Sequence, residues 1–333
     1  TAAAACHYLS PWHTKPISSP FARQAQDVNS SLSLSPLVGS WWMEVVMPGP
    51  EPKIPPMEIG GRLFQWGERT YIMGIINATP DSFSGDGVGY DVAAAVRLAL
   101  RMREEGADII DVGGESTRPG YTPVSVEEEL RRVIPVVRTL RRELDIPISI
   151  DTTKAVVARE AIEAGACLVN DTSGLLGDAE MARVVAAYGV PVVVMHNQRG
   201  RPFSAVEEDI LRGWQEGMAR ALAAGIPKER IIVDPGFNFG WEPHHALEML
   251  RRLGSLRQAV GRPLLLGPSR KSVIGLVLGG LPVEERLEGT AAVVALAIAQ
   301  GVDMVRVHDV KAMARVARMA DAVIRGWHPQ EVR

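Results

Sequence analysis

The polar residues best equipped for chemistry recur in one position along this chain, at or just past the end of a short apolar run. Asn77 and Asp81 follow the run Tyr71–Ile76. Asp111, Glu115, Thr117 and Arg118 accompany a second run; Asp151 ends a third; Asn170 and Asp171 end a fourth. His196 and Asn197 close a fifth, and Asp234, Asn238 and Phe239 a sixth. Ser269, Arg270, Lys271 and Ser272 follow a seventh, and Arg306, His308 and Asp309 belong to the last. Two kinds of chemistry stand out. Asp151, Asn170 and Asp234 offer acceptors and an amide, which suit a flat heterocycle bearing several N–H donors. Lys271, Arg306 and His308, with Asn77, offer donors suited to an anion. No His/Cys set has metal-ligand spacing, there is no HExxH, and no serine sits in a nucleophile elbow.

These residues need elements to hold them. An apolar run of this length bounded by turn residues reads as a buried strand. Strands are predicted at 71–77, 107–113, 147–151, 167–171, 191–196, 230–235, 263–269 and 304–309. Helical patterns follow at 91–105, 125–143, 154–164, 178–187, 207–224, 243–259, 283–300 and 310–325. In the first of these, Val92, Val96 and Leu100 recur every fourth residue. Gly106, Gly165, Gly189, Gly225, Gly261 and Gly301 lie between helix and next strand, the left-handed helix-ending signature. Eight such units predict an α/β fold, a (β/α)8 TIM barrel, whose chemistry sits at the C-terminal ends of its strands. An open doubly wound sheet is the rival, but no Gly-rich dinucleotide loop follows the first strand.

Residues 57–65, MEIGGRLFQ, read as a hairpin around Gly60-Gly61, placed to plug the N-terminal end of the barrel. Residues 1–55 differ in character. They are rich in Ser, Pro and Ala, lack a sustained period, and read as a disordered leader and linker ahead of a barrel domain at 56–328. The net charge of −3 excludes a basic nucleic-acid surface. The two cysteines, Cys6 and Cys167, imply no disulfide framework, and the longest apolar run, Ala291–Ala299, falls well short of the roughly 20 residues of a membrane span. A cytoplasmic protein without a membrane or nucleic-acid partner is expected. Val293, Val294, Leu296, Ala297 and Ile298 form an apolar face suited to a homodimer interface or to burial on the barrel.

Over residues 57–325 the chain resembles dihydropteroate synthase, the pterin-binding barrel of folate biosynthesis. The carriers are IMGIINATPDSFSGDG, ADIIDVGGESTRPG, ISIDTTK, LVNDTSG, IIVDPGFNFG, GPSRKSVIG and MVRVHDV, in this order. The resemblance implies a transferase that condenses 6-hydroxymethyl-7,8-dihydropterin diphosphate with 4-aminobenzoate, giving 7,8-dihydropteroate and pyrophosphate.

Position by position, Asp234 resembles the carboxylate that pairs with the pterin 2-amino and N3–H groups. Asn170 resembles the amide on the adjoining edge, and Asp151 the acceptor for N8–H. Lys271 resembles the lysine donating to O4 and N5, and Arg306 the arginine covering the ring face. Asn77, Thr117, Arg306 and His308 resemble the diphosphate surroundings, with Asn77 as the one protein ligand to Mg2+. Phe83, Thr117, Arg118, Pro119, Phe239 and Ser272 resemble the 4-aminobenzoate surroundings. Catalysis is thus expected from Lys271, Arg306 and Asp151.

Plainer roles exist for some residues. A strand-end Asp can simply cap the next helix, and His308 can be a satisfied core histidine. The chain also departs from the family pattern. Asn238-Phe239-Gly240-Trp241 stands where Gly-Phe-Gly-Lys is usual, and SGDG at 84–87 replaces SDGG. A methyltetrahydrofolate methyltransferase would need the pterin acceptors but not the SRK lysine with an Arg-x-His anion site. A non-catalytic pterin-binding paralogue remains open. The self-contained barrel pattern makes residues 1–55 dispensable. A chain starting a few residues before Met57 should fold and turn over; its insolubility beside a soluble full chain would make the leader part of the fold.

Overall fold

A computed structural model describes residues 54–79, 91–115 and 123–327. The leader expected at 1–55 lies almost wholly outside the described residues, as do Phe83, Thr117, Arg118 and Pro119.

A hairpin comes first, β1 (Met57–Ile59) against β2 (Arg62–Phe64), with Met57 opposite Phe64. The parallel strands follow: β3 (Tyr71–Asn77), β4 (Ile109–Gly113), β5 (Ile148–Asp151), β6 (Leu168–Asp171), β7 (Val192–Met195), β8 (Ile231–Asp234), β9 (Leu265–Leu266) and β10 (Met304–Val307). Between and after them run α1 (Val92–Glu105), α2 (Val126–Glu143), α3 (Ala155–Ala164), α4 (Met181–Tyr188), α5 (Val206–Ala223), α6 (Pro243–Val260), α7 (Ser272–Val277), α8 (Leu287–Ala299) and α9 (Val310–Ile324). The sheet order is β8-β7-β6-β5-β4-β3-β10-β9, and a parallel bridge from Val233 to Leu264 joins the two ends into a barrel. All six helix-ending glycines have positive φ.

The pleat decides which residues face inward. Ile109, Leu168, Val193, Ile232, Leu265 and Met304 point into the barrel and pack on Met57, Ile59, Phe64 and Trp66, so the hairpin plugs the N-terminal mouth as expected. Their neighbours Ile110, Val169, Val192, Val233 and Val305 point outward into the helix layer. Two residues beyond the apolar floor, the inward positions carry Asp111, Asn170, Asp234 and Arg306. Ser149 and Asp151 take the same alternation on β5, because Asp111 pairs with Ser149 and Gly113 with Asp151.

Two local readings change. Strand seven is cut to β9, because Gly267-Pro268 stops the ladder: proline has no N–H to give. Helix α7 was not anticipated, and α8 starts at Leu287 after a 3-10 turn at Val283–Glu285. Among the described residues no helix is long and apolar enough to cross a membrane.

A buried ion pair clips α6 to the strand before the last helix. Asp303, fully buried, accepts from Arg257 Nε at 3.1 Å and Nη2 at 3.0 Å, and from Leu264 N at 2.9 Å. Asp303→Ala takes the carboxylate away from a buried guanidinium and from the Leu264 N–H, so it should cost about 3–5 kcal/mol of stability by denaturant titration. A loss below about 1 kcal/mol, the worth of a surface pair, would show that this clip does not hold the ring closed.

Candidate active site

The inward polar layer forms one connected site. Arg306 Nε donates to Asp111 Oδ2 at 2.6 Å, and Arg306 Nη2 donates to Asp151 Oδ2 at 2.7 Å. Asn170 Nδ2 donates to the same Asp111 oxygen at 3.1 Å. Register makes this possible. Arg306 on β10 lies beside Met73 on β3, Ile75 on β3 beside Asp111 on β4, and Asp151 on β5 beside Asn170 on β6. Arg306 therefore reaches across the barrel interior to strands that are not its neighbours.

Burial and charge tune these groups. Burial is the main force raising the Asp151 carboxyl to about 7; Arg306 pulls it down, and Asp111 and Glu129 push it up. Asp234 is raised to about 6, again by burial, against the Gly236 N–H and the charges of Lys271 and Arg306. Lys271 is lowered to about 8 by burial and by Arg306, with Asp234 opposing. Arg306 is raised, since the pull of Asp111 and Asp151 outweighs its large desolvation.

The turn after β8 is built around Asp234. Gly236 N donates to Asp234 Oδ1 at 2.7 Å, with Gly236 at φ +72°. A Cβ on Gly236 would meet the His196 carbonyl oxygen at 1.9 Å, so only glycine fits. The Asp234 carbonyl accepts from His196 N and Trp214 Nε1, both at 2.8 Å. His196 is buried against Trp241 and bonded to Gln198; burial lowers it to about 4. It supports the strand end as a neutral ring. Trp241 is packed in the core, and His244 and His245 stand in the first turn of α6.

Lys271 immediately precedes α7, and its Nζ lies 4.3 Å from the Phe239 ring centroid. Arg199 Cζ lies 4.8 Å from the same centroid, so one aromatic ring carries two cations. Asn238, at φ +68°, donates to Ser272 Oγ at 2.9 Å. Its side chain thus bridges two loops rather than crowding the pocket. At the end of β3, Asn77 Nδ2 lies 3.5 Å from His308 Nε2, and His308 Nδ1 lies 2.9 Å from Ser269 Oγ. Beside Asp151 a cavity of about 220 Å3 is lined by Glu115, Thr152, Lys154, Asn197 and Arg199 among others. Lys154 there binds Glu129 at 2.6 Å and also Glu115.

The structure brings together Asp151, Asn170, Arg306 and Asp111, sets Asp234 and Lys271 within electrostatic reach of Arg306, and groups Asn77 with His308. Of the 4-aminobenzoate candidates, Phe239 and Ser272 are at this mouth; Phe83, Thr117, Arg118 and Pro119 lie outside the described residues. Asp111, read from the sequence only as one of several strand-end acids, proves central to this layer. Its inward parity with Ile109 was the available signal.

A (β/α)8 barrel with acceptors below and cations at the rim is the class of protein that fold and site define. Residues 73–308 match the family model described as pterin binding enzyme. A dihydropteroate synthase of Clostridium beijerinckii is 50% identical over 270 residues, 81% of this chain and 100% of that protein. The crystal structure of a Clostridium difficile dihydropteroate synthase, in the presence of pteroic acid, matches with a TM-score of 0.75 and 50% identity, covering 78% of this chain and 98% of that one. The Xanthomonas albilineans dihydropteroate synthase in complex with 7,8-dihydropteroate matches with a TM-score of 0.73 and 39% identity, covering 84% and 100%. The chain belongs to the pterin-binding enzyme family, in its dihydropteroate synthase branch.

The charge coupling in the pocket can be read directly. The Asp234 carboxyl should titrate near 6 by carbon NMR, and Lys271→Met should move it higher, because the lysine charge favours the carboxylate. A downward shift would mean that Lys271 does not face Asp234.

Proposed function

We propose that this chain joins 6-hydroxymethyl-7,8-dihydropterin diphosphate to 4-aminobenzoate. The observation that carries the reading is the inward layer of Asp151, Asn170 and Asp234 with Arg306 held across it. The amine nitrogen of 4-aminobenzoate forms a bond to the pterin methylene carbon. The carbon–oxygen bond to diphosphate breaks, its electron pair leaves on the diphosphate oxygen, and the amine gives up a proton. Positive charge grows on the ring and methylene as the diphosphate departs. Preorganised charges are then the main source of acceleration.

Asp234 and Asn170 read the pterin edge, and Asp151 accepts N8–H and stabilises positive charge spreading into the ring. Lys271 donates to O4 and N5. Arg306 faces both the ring and the departing diphosphate, with His308, Asn77 and Thr117 around the anion. Phe239 and Ser272 face 4-aminobenzoate, and the family resemblance assigns Phe83, Arg118 and Pro119 to the same subsite.

Mg2+ belongs to the same proposal. Among the described residues no cluster of three His, Cys, Asp or Glu side chains suits a metal. The donor set at this mouth is the Asn77 carboxamide, half-buried at the end of β3. A single amide oxygen fits an ion that takes most of its ligands from phosphate and water, as Mg2+ does. Bound there, it would neutralise diphosphate charge.

A homodimer is proposed on the outer part of the α8 face read in the sequence, extended by α7 and α9. Val294, Ala297 and Ile298 are fully buried on the barrel, because that face packs inward. Leu276, Val277, Leu296, Met319 and Val323 on α7, α8 and α9 remain exposed and offer the apolar patch.

Pyrophosphate release with both substrates tests the reaction. A methyltransferase releases none, and a non-catalytic paralogue binds pterin without release. Asp234→Asn turns a donor toward ring donors and should weaken pterin binding by roughly 2–4 kcal/mol in calorimetry. Arg306→Ala should lower turnover by ~100-fold, with little rescue by lysine, which cannot cover a ring face. Normal pterin binding by Asp234→Asn would place the pocket on the wrong strand end.

A further inference from the structure

The fully buried Asp111 carboxylate touches two residues of the pterin pocket at a single oxygen. Oδ2 takes the Arg306 Nε–H at 2.6 Å and lies 3.1 Å from the Asn170 amide nitrogen. Its other oxygen has no protein partner among the described residues. An oxygen pressed against a guanidinium is an acceptor, so the amide must turn its NH2 toward it. Asn170 Oδ1 is then left for the ligand.

We infer that Asp111 is a positioning and specificity-determining residue: it locks the Asn170 amide in one flip state, so that the pocket offers an acceptor to a 2-amino donor. The inference rests on the pterin reading of the site. An unconstrained amide offers oxygen or NH2 by a half-turn at little cost and reads no fixed pattern. Asp111 removes that freedom. The same oxygen fixes Arg306, so the ring edge and the ring face are set by one carboxylate. The donor comes from β6, the acceptor from β4 and the cation from β10, so the arrangement is rigid at strand positions rather than in loops.

The test compares two rings in the full-length protein by calorimetry. 6-Hydroxymethylpterin presents N1 as acceptor and a 2-amino donor. 6-Hydroxymethyllumazine, with a carbonyl at that position, inverts the pattern to an N1–H donor and an acceptor. Wild type should favour the pterin. Asp111→Ala, which removes the oxygen that holds the Asn170 amide, should shrink that preference by about tenfold, the scale of one hydrogen bond. In an Asn170→Ala background the same change should leave the preference unaltered, which a general loss of packing would not do. Asp111→Asn keeps an oxygen that the Arg306 Nε–H holds at the shared point, so it should stay within about threefold of the wild-type preference, even where Asp111→Ala folds poorly.

Wild type that binds neither ring would sink the pterin reading itself. Wild type with a clear preference that Asp111→Ala leaves intact would sink only the inference. An Asp111→Asn variant that folds but loses the preference overturns it as well, since the acceptor held against Asn170 is what is held to matter.

Discussion

Everything in the upper half of this barrel depends on a guanidinium clamped between two carboxylates. Arg306 sits inside an otherwise apolar strand, where an unpaired charge would be prohibitive. Asp111 and Asp151 make the position tenable, and the contact is long-range: 195 residues separate Arg306 from Asp111. Removing one partner of a buried pair of this kind typically costs about 3–5 kcal/mol, so the cation, β4 and β5 are mutually dependent. The pair also sets the charge budget of the pocket. Three carboxylates, Asp111, Asp151 and Asp234, face two strong cations, Arg306 and Lys271. Burial lifts Asp151 to about 7, with Asp111 and Glu129 adding to it, and lifts Asp234 to about 6 against the charges of Lys271 and Arg306.

Those raised values point to what the pocket is shaped to receive. A buried carboxyl with a raised pKa is short of donors. A ring carrying N–H groups supplies them, and supplies them in a plane, where strand-end side chains can meet each edge. The rim behaves oppositely. Lys271 is depressed to about 8 and sits over an aromatic ring that also carries Arg199, so its charge is only partly satisfied within the protein. An arriving anion relieves that excess. Acceptors in the depth and cations at the rim thus orient a substrate with a polar ring at one end and phosphate at the other.

Much of this was legible in the chain because local rules and global fold agree. The strands read as apolar runs, the helix ends as glycines, and the polar strand ends as a site, since a barrel leaves its strand ends nowhere else to converge. What stayed hidden was of another kind. Asp111 was visible as one more acid beside an apolar run, but the partner that gives it a role arrives at the eighth strand. Local periodicity carries no record of which side chains meet across an interior. Helix α7 was missed because SVIGLV has neither a polar face nor a side-chain cap, and six residues are too few for a period. Asn238 stands where the family pattern has a glycine. Asparagine tolerates φ +68°, and the amide turns to Ser272 instead.

In the proposed reaction, the order of strands lets one arginine serve both halves. β10 lies between β3, which ends in Asn77, and the short β9, which leads into Lys271. A cation rising from β10 therefore stands between the anion end and the ring end. Its side chain leans toward β4 and β5, because Asp111 and Asp151 draw it there, and this lays the planar group across the barrel axis. Lysine at the same position would keep the charge but not the two-point hold, since a single ammonium lacks the rigid fork that spans two carboxylates. The shape of the guanidinium, rather than its charge alone, is what ties the ring-reading strands to the anion-facing ones.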